Sequence, residues 1–203
     1  MTASQPYHHG ELRNALIGAA TQIIEQDGID ALSIRKLAVQ VGVSRTAPYH
    51  HFKDKNALLS AIAEEGFKTW QTSAKNIFEQ QELALTERFR LFIHDYVGYA
   101  SAHPELYDLM FGRILWGKNN ATEPLKAVAY PCFQYQLEMT RTWQKHGLLP
   151  SGPDALRLAQ VTWSTLHGIA RLLIDGIFAD ASHIGEMCDC AAEVLMQRTP
   201  EQS

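Results

Sequence analysis

The spacing of the apolar residues constrains this chain more than any other feature. They recur at intervals of three and four, the mark of helices that bury one face. No stretch shows the period-2 alternation of a half-buried strand. The predicted fold class is therefore all-α. A first helix is expected over about residues 10–26, with Leu12, Ala15, Leu16, Ala19, Ala20 and Ile23 inward and Gly28 able to take the left-handed terminal position. A second fits 34–41 behind Ser33 as cap, and a third fits 45–51 behind Ser44. A long fourth starts after Asp54 and runs to about residue 80. Further helices fit about 86–102, 104–115, 122–146, 153–178 and 183–197. Breakers such as "HPE", "WGKNN" and "HGLLPSGP" separate them, and Pro131 is placed to kink one. About nine helices result. A small N-terminal domain (8–60) leads through a long helix into a larger bundle (61–200).

The chain has 203 residues, 46% of them apolar, enough for one substantial core or a small domain joined to a larger one. No run approaches the length of a membrane span, and "MTASQPYHHGELRN" lacks the apolar core of a leader. The three cysteines, Cys132, Cys188 and Cys190, form no disulfide framework. A reducing cytoplasm and no membrane partner are the expectation. The net charge of -4 does not advertise nucleic-acid binding, but its distribution is uneven. Residues 1–60 carry six Lys and Arg against five Asp and Glu, and the rest carry twelve against seventeen. The N-terminal third tolerates a polyanion better than the remainder does.

Residues 33–52, "SIRKLAVQVGVSRTAPYHHF", carry the most specific pattern. Ile34, Leu37, Ala38 and Val41 make an inward stripe, Gly42 allows a tight turn, and Ser44 opens a short helix. This is helix, glycine turn, helix. On a helical wheel Arg45, Thr46, Tyr49 and His50 fall on one half, and Ala47, Pro48 and His51 on the other. A helix that docks on a scaffold while offering donors to base edges needs that division. The alternative for such a face taken alone is ordinary solvation. Lys55, in the first turn of the fourth helix, is placed for a phosphate, as are Ser33 and Arg35 at the start of the second. "YHH" at 7–9 could lie along the backbone as an arm.

On these residues, "ALSIRKLAVQVGVSRTAPYHHFKDKNALL" resembles the DNA-binding domain of the TetR family of bacterial transcriptional regulators. The resemblance covers about residues 10–60. It implies an all-helical homodimer with an N-terminal helix-turn-helix and a C-terminal ligand-binding and dimerisation domain, acting more often as a repressor. It places Arg35, Arg45, Thr46 and Tyr49 at base-contacting positions and Ser33, Ser44, His50, His51 and Lys55 at backbone-contacting ones. Where many members carry a small residue, this chain has Ala47-Pro48. "WSTLHG" at 163–168 is similar to the signature of a TetR subgroup named for a Trp-His-Gly (WHG) motif.

The segment 156–178 is apolar nearly all round, with Leu156, Gln160, Trp163, His167, Ala170, Ile174 and Ile177 on one stripe and Val161, Leu172 and Leu173 elsewhere. Such a helix needs cover on two sides, one of them naturally a second subunit. Val161 and Leu172, with Met187, Cys188, Ala191 and Leu195 of the last helix, are the candidate dimer surface. A near-palindromic DNA site is then expected, with half-sites about 34–36 Å apart. A small-molecule effector would act through the long fourth helix as lever. Phe92, Tyr96, Tyr99, Phe111, Trp116, Phe133, Trp163 and His167 are the candidate ligand residues, with ordinary core packing as the alternative for each.

No cofactor motif, nucleophile elbow, phosphate loop or zinc-protease motif occurs. Two rivals remain. Cys188 and Cys190 could serve a metal- or redox-responsive regulator, although residues two apart on a helix point apart. A helical ligand-binding protein without DNA binding would use the same scaffold, but Arg45 and Lys55 in register argue against it.

Overall fold

Side chains meet the free backbone groups where some of the helices begin. The Asp54 carboxylate accepts the Ala57 N–H at 2.7 Å and so opens the long helix. Asp154 accepts the N–H groups of both Leu156 and Arg157. The structure, a computed structural model, describes residues 9–117, 120–177 and 181–196. Among these the regular elements are all helical: α1 (His9–Asp27), α2 (Ile34–Val41), α3 (Lys55–Phe78), α4 (Leu85–Ala102), α5 (Pro104–Phe111), α6 (Arg113–Trp116), α7 (Glu123–Lys145), α8 (Ala155–Ile174) and α9 (Ile184–Leu195). Short 3-10 turns lie at Ile29–Ala31, Ala47–His50 and Ala181–His183. Among the described residues no helix is long and apolar enough to cross a membrane.

The chain divides into two compact units, one of Met1–Gly66 with Pro104–Ala127 and the other of Phe67–His103 with Val128–Ser203. The sequence reading put a single boundary near residue 60. The segment 104–127 instead joins the N-terminal unit, because α5 packs on α1 and the Asn56 side-chain amide donates to the Asn120 carbonyl at 2.8 Å.

In the first unit α1 buries Leu16, Ile17, Ala20 and Ile24, while Leu12, Ala15, Ala19 and Ile23 are half-buried. The buried stripe is turned by about one residue from the expected one, toward the larger side chains Ile17 and Ile24. Leu37 and Ala38 of α2 and Phe52, Leu58 and Ile62 are also buried in this unit. The Arg13 guanidinium lies 5.6 Å from the centre of the Phe52 ring and 4.0 Å from the Glu64 carboxylate. Gly42 ends α2 at φ 76°, ψ 31°, and the Val43 N–H returns to the Ala38 carbonyl at 2.9 Å. Gly28 has the expected positive φ but an extended ψ of 167°. Its carbonyl accepts the Ala31 N–H, which starts a 3-10 turn that periodicity did not foretell. The helix expected over 104–115 breaks at Gly112, where a Cβ would stand 2.2 Å from the Asp108 carbonyl oxygen.

In the second unit α4 packs against both α8 and α9. Trp143 of α7 is fully buried, with Phe89 at 4.9 Å, Phe92 at 5.5 Å and Phe78 at 5.6 Å between ring centres. Arg90 and His94 of α4 reach Asp189 of α9, and Arg90 also reaches Glu193. The hydrogen bond from His94, with the charges of His94 and Arg90, holds the Asp189 carboxyl below its ordinary range. These pairs are exposed and weak. Burial of Cys188, Ala191, Ala192 and Leu195 is what fixes α9. Helix α8 buries Leu158, Ala159, Thr162, Leu166 and Ala170, so of the stripe expected from sequence only Ala170 is fully covered. Helix α7 continues through Pro131.

Three substitutions test this account. Trp143→Ala is expected to cost about 3–5 kcal/mol in urea unfolding, against under about 0.5 kcal/mol for Leu91→Ala on the exposed side of α4. Gly42→Ala is expected to cost about 1–2 kcal/mol, because an L side chain must then enter the left-handed region. Equal midpoints for parent and Gly42→Ala would show that the turn relaxes.

Candidate nucleic-acid interface

Helix α2 turns Ile34, Leu37 and Ala38 inward and leaves Arg35, Lys36, Val39 and Gln40 exposed. Ser33 precedes it in extended conformation, half-buried, and its hydroxyl makes no capping bond. The expected cap is thus absent at Ser33.

The element after the glycine turn is tighter than the α-helix expected over 45–51. A turn at Arg45-Thr46 runs into the 3-10 helix Ala47–His50. The cause is Pro48. It lacks the N–H that an α-helix would direct to the Ser44 carbonyl. The Ala47 N–H donates instead to the Ser44 carbonyl at 3.0 Å and to its hydroxyl at 3.2 Å. The Tyr49 N–H reaches Thr46, and those of His51 and Phe52 both reach the Pro48 carbonyl. Ser44 therefore does meet the start of the element, and its hydroxyl lies 3.2 Å from that of Thr46.

The two faces divide as the helical wheel predicts. Arg45, Thr46, Tyr49 and His50 are exposed, Tyr49 to 50%. Pro48 is buried, and Ala47 and His51 are half-buried. The His51 ring lies 6.4 Å from that of Phe52. Pro48 is the seat of this element, and four hydrogen-bonding side chains stand on its open side.

Lys55 differs from its expected role. It is half-buried, and its ammonium donates to the Ile29 carbonyl at 2.9 Å, tying the start of α3 to the turn after α1. That uses one of its three donors. Lys36 and Lys53 are exposed basic residues near the same motif. The sequence pattern gave no reason to single them out beyond their charge. Of the arm suggested at 7–9, Tyr7 and His8 lie outside the described residues, and His9 opens α1.

The candidate ligand residues do not form one set. Phe92 is core around Trp143. Tyr96 is buried, accepts the Trp163 indole N–H at 2.9 Å, and meets Trp70 edge-on at 5.8 Å. Trp163 lies 5.5 Å from His167 and 6.2 Å from Phe133 between ring centres. Tyr96, Phe133, Trp163 and His167 thus come together in the second unit. Tyr99 lies beside His103 instead. Phe111, next to Tyr107, and Trp116, whose indole donates to the Met110 carbonyl, belong to the first unit.

The candidate dimer residues divide too. Val161 and Leu172 are exposed and Met187 is half-buried. Cys188, Ala191 and Leu195 are buried within the protomer and cannot offer the surface expected of them. Their small or apolar side chains go to the protomer's own core, which periodicity alone cannot tell from an interface. Burial, and next to it Asp189, pushes the Cys188 thiol up to about 11, which leaves little thiolate. Cys190 is exposed. Among the described residues no three His, Cys, Asp or Glu side chains converge on a common point for a metal.

Comparison with known proteins agrees with this architecture. Residues 16–62 match the bacterial regulatory proteins of the tetR family. Residues 89–195, over half of the chain, match the tetracyclin repressor-like C-terminal domain. No curated protein matches. Among solved structures, a protein of unknown function from Rhodococcus sp. RHA1 is 35% identical, with a TM-score of 0.82 over 96% of this chain and 100% of that one. A TetR family transcription regulator from Marinobacter aquaeolei VT8 is 20% identical, with a TM-score of 0.66 over 92% of this chain and 96% of its own. Another from Thermus thermophilus is 19% identical, with a TM-score of 0.65 over 88% and 97%. The last two share the fold. With a helix-turn-helix at its N-terminal end and a matching C-terminal domain, the chain belongs to the TetR family of bacterial transcription regulators.

Proposed function

We propose that this protein is a cytoplasmic, homodimeric repressor that binds a near-palindromic operator and releases it when a small molecule binds the second unit. The observation that carries the DNA-binding half is the open face of the 44–51 segment. Arg45, Thr46, Tyr49 and His50 are exposed around a buried proline. Arg45, Thr46 and Tyr49, with Arg35 on α2, read base edges in the major groove, where an arginine can grip a guanine with two bonds. Ser33, Ser44, His50 and His51 contact the phosphate backbone. Lys55 adds its remaining donors, and exposed Lys53 takes the larger share of the charge.

The effector site is the group formed by Tyr96, Phe133, Trp163 and His167. The Trp70 indole N–H beside Tyr96 is buried without a hydrogen-bond partner among the described residues, so it has a bond to give to an acceptor. "WSTLHG" supplies two members of this group, Trp163 and His167, which supports membership of the WHG subgroup. An effector changes DNA affinity only by preferring one of two states. Exposed Val161 and Leu172 support a dimer through α8, and two copies bring half-sites about 34–36 Å apart.

Selection of bound duplexes from a random pool, with purified protein at moderate salt, is expected to enrich a near-palindrome with half-sites one turn apart. No enrichment with folded protein, freed of any co-purified ligand by unfolding and refolding, would overturn this reading. On the selected operator, Tyr49→Ala is expected to relax specificity at particular bases, at about 1–3 kcal/mol each. Lys53→Ala is expected to weaken binding to every sequence and to reduce the salt slope by about one. Equal losses on operator and random duplex for both variants would sink the division of roles.

A further inference from the structure

The element that carries Tyr49 is too short to hold its own pose. Ala47–His50 is a 3-10 helix of four residues, and so short a helix has little stability of its own in water. Where Tyr49 and His50 stand is therefore decided by what the element sits on. Two groups seat it. Pro48 is buried within it, and the Phe52 ring, just after it, is 2% exposed. The backbone joins the two, since the Phe52 N–H donates to the Pro48 carbonyl at 2.9 Å. A shift at Phe52 thus carries to the residues between them, which include Tyr49 and His50.

Phe52 is held in turn from α1, outside the helix-turn-helix. The Arg13 guanidinium lies over its ring, 5.6 Å from the centre, within the range of a cation on an aromatic face. Arg13 also stands 4.0 Å from the carboxylate of Glu64 on α3, an ion pair rather than a hydrogen bond. Glu64 is 7% exposed, and a carboxylate so covered favours a cation beside it. Lys55 ties the start of the same helix to the turn after α1. A lysine at position 13 would keep the charge that faces Glu64 but would present no flat guanidinium to the ring. An ion pair alone does not call for arginine, and a stack on Phe52 does.

We propose that Arg13 is a positioning residue for operator reading. Its guanidinium, kept in place by Glu64, fixes the Phe52 ring, and through Phe52 and the Pro48 carbonyl it sets the direction in which Tyr49 and His50 point. It acts without touching a base. The inference rests on the DNA-binding reading above and adds a determinant of specificity that lies outside the contact set.

The test compares the full-length protein with its variants on the operator recovered by the selection above and on random duplex. Arg13→Lys preserves the charge. It is expected to lower operator affinity by about three- to thirtyfold, the range that a cation on a ring supplies. Affinity for random duplex is expected to stay within about twofold, with the salt slope and the helix content unchanged. Selection repeated with Arg13→Lys is expected to relax the base positions that Tyr49→Ala relaxes and to keep those that Arg35→Ala relaxes. In a Phe52→Leu background, where no ring is left to hold, adding Arg13→Lys is expected to change operator affinity no further. A parent that enriches no operator overturns the DNA-binding reading and this inference with it. A parent that enriches one, with Arg13→Lys binding it as tightly, overturns this inference alone. Equal losses on operator and random duplex in Arg13→Met, with a salt slope lower by about one, make Arg13 a phosphate contact and overturn it as well.

Discussion

The open face of the helix-turn-helix depends on a proline that has no N–H to give. Pro48 sits where an α-helical recognition element would bond back to Ser44, and the chain tightens into a 3-10 turn around its buried ring. In that geometry residues three apart are eclipsed, with about 2 Å of rise per residue. Thr46 and Tyr49 therefore stand in one row, whereas an α-helix would align Arg45 with Tyr49. The Pro48 backbone carbonyl closes the element, since the N–H groups of His51 and Phe52 both donate to it. The proposed contacts at 45, 46, 49 and 50 are presented through this tighter frame, so base assignments from members with a regular recognition helix would not transfer one for one.

Charge acts here by position. The first sixty residues are nearly balanced and the remainder is acidic, so no broad basic field draws DNA in. Affinity for phosphate must come from a few exposed cations, of which Arg35, Lys36, Arg45 and Lys53 stand in or beside the helix-turn-helix. Lys55 is the instructive case. Its bond to the Ile29 carbonyl makes it part of the scaffold that ties α3 to the turn after α1, beside the DNA contact proposed for it. Removing it would disturb both at once.

What the sequence revealed was whatever local periodicity encodes. The inward face of α2, the left-handed Gly42 and the open set of Arg45, Thr46, Tyr49 and His50 follow from spacing, capping and sterics within about twenty residues. Three features did not follow. The one-residue rotation of α1 is a competition between Ile17 and Ile24 on one side and alanines on the other, decided by what packs against them. The covered side of α8 could not be chosen, because a helix apolar all round has no unique inward face. And Phe111 and Trp116 left the ligand set because the chain from 104 returns to the first unit through contacts with α1, which no local pattern records.

That return changes how a signal could travel. The sequence suggested a single lever, the long helix α3. The chain in fact passes from one unit to the other at three places: within α3 after Gly66, at His103-Pro104 between α4 and α5, and within α7 after Ala127. Two of these crossings lie inside continuous helices, α3 and α7. The third is a short break before a proline, where the preceding residue is held away from the α region. A ligand held by Tyr96 on α4 and Phe133 on α7 would touch two of the three helices that lead to a crossing, with Trp70 on the third. If an effector acts as proposed above, three backbone connections join the units, and a mutation that softens α3 alone would leave two of them intact.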